Sequence, residues 1–118
     1  MATPNIVNVA TINAKNAAGA ITTSRASAVD VPAEKVAKIN TILIANIDGT
    51  NAADVTIEVS IDNGSNYFAI AKTISVPADA TLSFLENPIY LDETDLLAVT
   101  ASANSDLTYF VSYEKITD

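Results

Sequence analysis

Residues 43–64 read LIANIDGTNAADVTIEVSIDNG, and the fold turns on this stretch. Val55, Ile57, Val59 and Ile61 alternate with Thr56, Glu58 and Ser60, which is the period-two pattern of a half-buried strand. Asp48-Gly49 and Asn63-Gly64 bracket it. Such dipeptides are strong hairpin signals, because they supply positive φ at little steric cost. The stretch therefore reads as strand, turn, strand, turn.

Working outward, the same period recurs. Upstream, Ile39, Leu43, Ala45 and Ile47 share one face with Thr41, and Ile42 and Ile44 occupy the other. A strand apolar on both faces belongs in the middle of a sheet or under a neighbour. Downstream, Phe68, Ile70, Ile74 and Val76 alternate, then Leu82 and Phe84, then Leu97, Val99, Ala101 and Ala103, then Leu107, Tyr109, Val111 and Tyr113. Pro32, Pro77 and Pro88 sit at strand ends, where a missing N–H costs nothing. No window carries a helical period beyond about one turn at residues 32–37. The expectation is an all-β, single-domain antiparallel β-sandwich of about seven to nine strands, jelly-roll-like or immunoglobulin-like. Its expected core is Leu43, Ile57, Val59, Ile70, Ile74, Leu82, Val99 and Val111.

Residues 1–30 differ from the sandwich proper, taken as residues 31–118. They are rich in Ala, Thr, Ser and Asn, with few large apolar groups. Ile6, Val7, Val9 and Ile12 mark one strand, and residues 20–23, including Ile21, a second one folded back through Asn16–Gly19. Two readings stand equally: an edge hairpin, or an arm that packs on a neighbouring subunit.

Composition excludes much. The chain has 118 residues with no cysteine and no histidine, so the commonest general base, the best nucleophile and the commonest metal ligand are missing. Three glycines cannot build a phosphate-cradling loop, and no nucleophile elbow exists. The carboxylates Glu86, Asp92, Glu93 and Asp95 are the remaining candidates for acid–base work. Three of them fall in one loop, where water relieves their repulsion. Oxygen-rich clusters at Asp48, Thr50, Asn51 and Asp54, and at Asp62, Asn63 and Ser65, invite a calcium reading. Neither has the ligand spacing of a calcium loop, and both are explained as turns. The expectation is no enzyme, no cofactor and no metal.

Fourteen acids against six bases give a net charge of −8, which repels phosphate backbones and anionic membrane surfaces. The bases form no stripe. No run approaches the roughly 20 apolar residues of a membrane helix, and the first residues carry no secretory pattern. Neither nucleic acid nor membrane is expected as a partner. Among the aromatics, Tyr67 beside the Asn-Gly turn is the one candidate for an exposed contact, and Tyr109 and Tyr113 share a face.

Three segments carry a family likeness. INTILIANIDGTNAADVTIEVSIDNG, IAKTISVPADATLSFLENPIYLDETDLLAVTASANSDL and VSYEKI resemble small virion structural proteins of tailed bacteriophages, especially those infecting marine cyanobacteria and other marine bacteria. The likeness spans about residues 36–116, and residues 1–35 match more loosely. It implies a place on the particle and carries no catalytic residues. It does not settle which place; the small size, acidity and candidate N-terminal arm suit a capsid decoration or cement protein, assembled in the host cytoplasm, with the major capsid protein or other virion proteins as partner. Homo-oligomerisation on the particle is expected. A neck, tail or fibre-attachment ring subunit is the alternative, and a host-surface glycan-binding module a third. The candidate interface residues are Ile6, Val7, Val9, Ile12, Ile21 and Tyr67.

Overall fold

A computed structural model describes residues 11–117. The Asp62–Ser65 turn is the hub of a nested set of antiparallel pairs. Around it, β4 (Ala53–Ser60) pairs with β5 (Phe68–Val76). Outside that hairpin, β3 (Val36–Asn46) pairs with β6 (Thr81–Ser83) and β7 (Ile89–Leu91). Next, β2 (Ala26–Asp30) pairs with β8 (Leu96–Ala101), and outermost β1 (Thr11–Ile21) pairs with β9 (Leu107–Thr117). Rolling this ribbon adds the pairs β3–β9 and β4–β8. The result is a five-stranded sheet ordered β1-β9-β3-β6, with β7 also on β3, facing a four-stranded sheet ordered β2-β8-β4-β5. This is a β-sandwich with the strand order of a jelly roll, not of an immunoglobulin domain.

The core lies between the sheets. Ile21, Ile39, Ile42, Ile44, Leu107 and Val111 from one sheet meet Val29, Val55, Ile57, Leu97 and Val99 from the other. Of the expected core, Ile57, Val99 and Val111 are buried, and Leu43, Val59 and Leu82 are partly buried. Ile70 and Ile74 are corrections: they are exposed, at 46 % and 40 %. β5 is an edge strand whose register on β4 slips twice, so its alternation no longer maps cleanly onto one face.

The face assignment of β3 is also corrected. The register on β9 shifts between Ile39 and Thr41. A bulged residue there reverses the parity of the strand. Ile39, Ile42 and Ile44 therefore all point inward, and Leu43 and Ala45 turn outward.

The hairpin expected through Asn16–Gly19 does not form. Those residues lie inside β1, which pairs residue for residue with β9 without interruption. β1 and β2 go to opposite sheets. Gly19 is explained by its cross-strand partner Tyr109: a Cβ there would come within 3.2 Å of the tyrosine oxygen. The tyrosine fills the space that a side chain on β1 would need.

The two turns differ. Asn63 and Gly64 adopt positive φ, 58° and 91°, as the central residues of the tight Asp62–Ser65 turn within the β4–β5 loop. Gly49 does not, and a Cβ there would make only ordinary contacts with the Asp79 carboxylate.

Candidate docking face

The two sheets differ in where their outer rows carry charge. On the five-stranded sheet, register places Ala18, Phe110, Leu43 and Ser83 in one row across β1, β9, β3 and β6. The next row is Ala20, Thr108, Ala45 and Thr81. On the other side lies Asn16, Ser112 and Thr41. On this side charge enters in the row beyond, with Ala14, Glu114, Lys38 and Tyr90. The central rows thus form an uncharged patch with Phe110 exposed at its middle and Tyr90 exposed at its border. On a chain this acidic such a patch is notable, because depletion of charge marks the centre of protein interfaces.

The four-stranded sheet carries charge across its outer rows, beside the exposed apolar side chains Phe68, Ile70 and Ile74 of its edge strand β5. Glu58 receives a two-pronged contact from Arg25, with Nε and Nη2 donating to Oε1 and Oε2 at 2.9 and 3.1 Å. Its outer rows also carry Asp30 and Asp54. The Arg25 guanidinium lies 4.0 Å from the centre of the Tyr67 ring, so one face of that ring is already covered by a cation.

The acidic turns are internally satisfied. Asp48 Oδ1 accepts the backbone N–H groups of Thr50 and Asn51 at 2.8 and 3.2 Å, and Oδ2 accepts from Asn51 Nδ2 at 3.3 Å. These bonds, the Thr50 amide foremost, hold its carboxyl below the usual carboxylate range. Asp62 is held low chiefly by Asn66, whose side chain and backbone both donate to it, and further by the Ser60 hydroxyl. Both carboxylates are spent on closing turns. Asp95 behaves differently: it is buried, accepts the Asp92 N–H at 2.8 Å, and burial pushes its carboxyl up. Glu93 accepts the Glu34 N–H at 2.8 Å, docking this loop onto the β2–β3 connection. No cluster of three or more Asp or Glu side chains poised for a metal occurs among the described residues.

A residue that the sequence did not flag organises the end of the sandwich. Asn46 is 3 % exposed. Its Nδ2 donates to the carbonyls of Asn51 and Val76, and its Oδ1 accepts the Asp48 N–H, all at 2.9 Å. One side chain thereby ties β3, the β3–β4 loop and the end of β5. An Asn at the end of an apolar run, next to a turn, was its only signal.

Of the sequence-derived interface residues, Ile6, Val7 and Val9 lie outside the described residues. Ile12 is on β1 and 56 % exposed, whereas Ile21, at 1 %, is spent on the chain's own core. Tyr67 lies between β4 and β5 of the four-stranded sheet, whereas Ile12 and Ile21 lie on β1 of the other.

No family model matches the sequence, and no curated protein sequence does. Solved structures do share the fold. A chain from Bacillus endospore appendages, described as disulfide-linked pili, aligns over 91 % of this chain and 87 % of its own length, with a TM-score of 0.56 and 16 % identity. A chain from the acid-stable capsid of the Helicobacter pylori bacteriophage KHP30 aligns over 92 % and 90 %, with a TM-score of 0.56 and 9 % identity. A pentameric capsid protein from metagenomic phage sequences aligns more loosely, with a TM-score of 0.41 and 14 % identity, over 84 % of this chain and 59 % of its own. At these identities the likeness is one of architecture. The disulfide linkage of the pili has no counterpart in a chain without cysteine.

Proposed function

We propose that this chain is a non-enzymatic structural subunit of a bacteriophage particle: a capsid decoration protein that binds the major capsid protein and stabilises the shell. The observation that carries the reading is the uncharged patch around Phe110 and Leu43 on the outer face of the five-stranded sheet. A shell protein needs a rigid body, a surface that resists non-specific association and one face free of charge for docking. The acidic remainder supplies the second requirement. The jelly-roll architecture, found in viral capsid domains among other settings, and the fold shared with a phage capsid chain agree with it. So does the sequence likeness to tailed-phage virion proteins. Fold alone does not dictate function, so the patch is what must be tested.

The test uses particles of the encoding phage that lack this protein. Added wild-type protein should bind in proportion to the number of capsomers and raise the temperature at which the shell opens. Phe110→Glu should fold normally, since Phe110 is exposed, yet lose binding. Wild-type occupancy by Phe110→Glu would overturn the docking face. Binding restricted to one vertex would replace the shell reading with the neck or tail ring. A glycan-binding role would need an open aromatic platform, and the Tyr67 ring carries Arg25 instead.

A further inference from the structure

The four sheet edges of this sandwich are not protected alike. Free edges invite pairing with another chain, and proteins blunt them with short strands, bulges, charge or proline. β2 has five residues and a register shift between Ser27 and Val29. β5 has two register irregularities, Lys72, and Thr73 at φ 50°. β6 and β7 have three residues each. β1 has none of these devices except Lys15. Its eleven residues pair with β9 one to one without a shift. Among the described residues nothing pairs with its other side. It offers a straight edge roughly 36 Å long.

We propose that β1 pairs antiparallel with β1 of a second copy, about a two-fold axis near Asn16, joining the two five-stranded sheets into one. The strand's own sequence supports a second copy as the occupant. Centred on Asn16, Ala14 lies opposite Ala18, Lys15 opposite Ala17, Asn13 opposite Gly19 and Ile12 opposite Ala20. No charge faces a like charge directly, and the side chains from Ala17 to Ala20 are small. β1 contains no acid, so two copies carrying −8 each meet where neither presents a carboxylate on the pairing strand. Residues directly opposite in an antiparallel pair point to the same side. A two-fold contact therefore sets outer face beside outer face, and the uncharged patches of both copies merge into one docking surface. Such a contact is isologous and closes at two copies. It does not depend on the capsid reading, and either can fail without the other.

The experiment is sedimentation equilibrium on the full chain at micromolar concentrations, alongside two sets of variants. Wild type should be a dimer. Ala14→Glu with Ala18→Glu sets two like-charged pairs directly opposite and should weaken the dimer by about tenfold, with an unchanged circular dichroism spectrum. In the second set, Ala14→Cys, Asn16→Cys and Ala18→Cys are oxidised one at a time in a chain otherwise free of cysteine. Opposed Cβ atoms lie about 4.5–5.5 Å apart, near disulfide range, so Asn16→Cys should cross-link to a covalent dimer and its neighbours should not. Deletion of residues 2–10 should leave the dimer intact. A monomeric wild type, a dimer indifferent to the glutamates, or association lost with residues 2–10 would each overturn the proposal. The last outcome would assign the edge to a strand donated by a neighbour's first residues.

Discussion

Replacing Asn46 by alanine tests whether one buried amide holds the end of the sandwich together. The substitution strands three backbone groups: the Asp48 N–H and the carbonyls of Asn51 and Val76. Asn51 is exposed and Asp48 half-buried, so water can reach those two, and each lost bond costs about 0.5–1.5 kcal/mol. Val76 is fully buried, and a stranded carbonyl there costs about 1–3 kcal/mol. The total is about 4 kcal/mol, a large share of the 5–15 kcal/mol typical of a domain. Urea unfolding should show a midpoint lower by about 2 M if the slope is about 2 kcal/mol/M and unchanged. Asn46→Asp is the informative control. It keeps the acceptor for Asp48 but aims a carboxylate at two carbonyls. It should be worse than alanine at neutral pH and recover as acid protonates the new carboxyl, which can then donate. A loss below about 1 kcal/mol for Asn46→Ala would refute the claim that this side chain holds the end of the sandwich together.

Ile57→Ala should cost about 2–5 kcal/mol, because Ile57 is fully buried, whereas Ile70→Ala on the edge strand should stay within about 0.5 kcal/mol; equal costs would mean that the face assignments are wrong. Gly64→Val should destabilise by more than about 1 kcal/mol, since a β-branched residue tolerates φ near 91° poorly, and Gly49→Val should cost clearly less. Asp48 and Asp62 have folded pKa values below their unfolded ones, so their contribution is complete above about pH 4 and is lost as pH falls through the lowered values; Asp62→Asn should flatten the acid limb of a stability–pH curve. Asp95 is raised, so its effect has the opposite sign: stability falls as pH climbs from about 4 through its folded value. Asp95→Asn keeps an acceptor for the Asp92 N–H and should abolish that fall; a curve of unchanged shape would place the carboxyl in water.

The sequence by itself determined the fold class, because the evidence for it is local. Alternation at Val55, Ile57 and Val59 and the Asn63-Gly64 turn need no distant partner to be read, and the loss of His and Cys chemistry needs only a count. It also named most of the strands. What it left open is set by partners far along the chain. The one-residue irregularity near Asn40 reverses which isoleucines of β3 face inward, and nothing in the letters from Lys38 to Ile42 marks it, since the bulge exists only against β9. Asn16–Gly19 looks like a turn until Tyr109, ninety residues on (roughly, in chain distance), is seen to fill the space over Gly19. Ile70 and Ile74 carry the pattern of a core strand, but their exposure follows from lying at the end of the strand order. Asn46 is an ordinary polar residue beside a turn until β5 brings the Val76 carbonyl to it. The uncharged face and the β1 edge, unpaired among the described residues, are likewise products of register, because residues from β1, β9, β3 and β6 become one surface only when the nested ribbon rolls up. Local pattern fixes what a segment wants to be, and long-range pairing decides which side of it the rest of the molecule, or another molecule, meets.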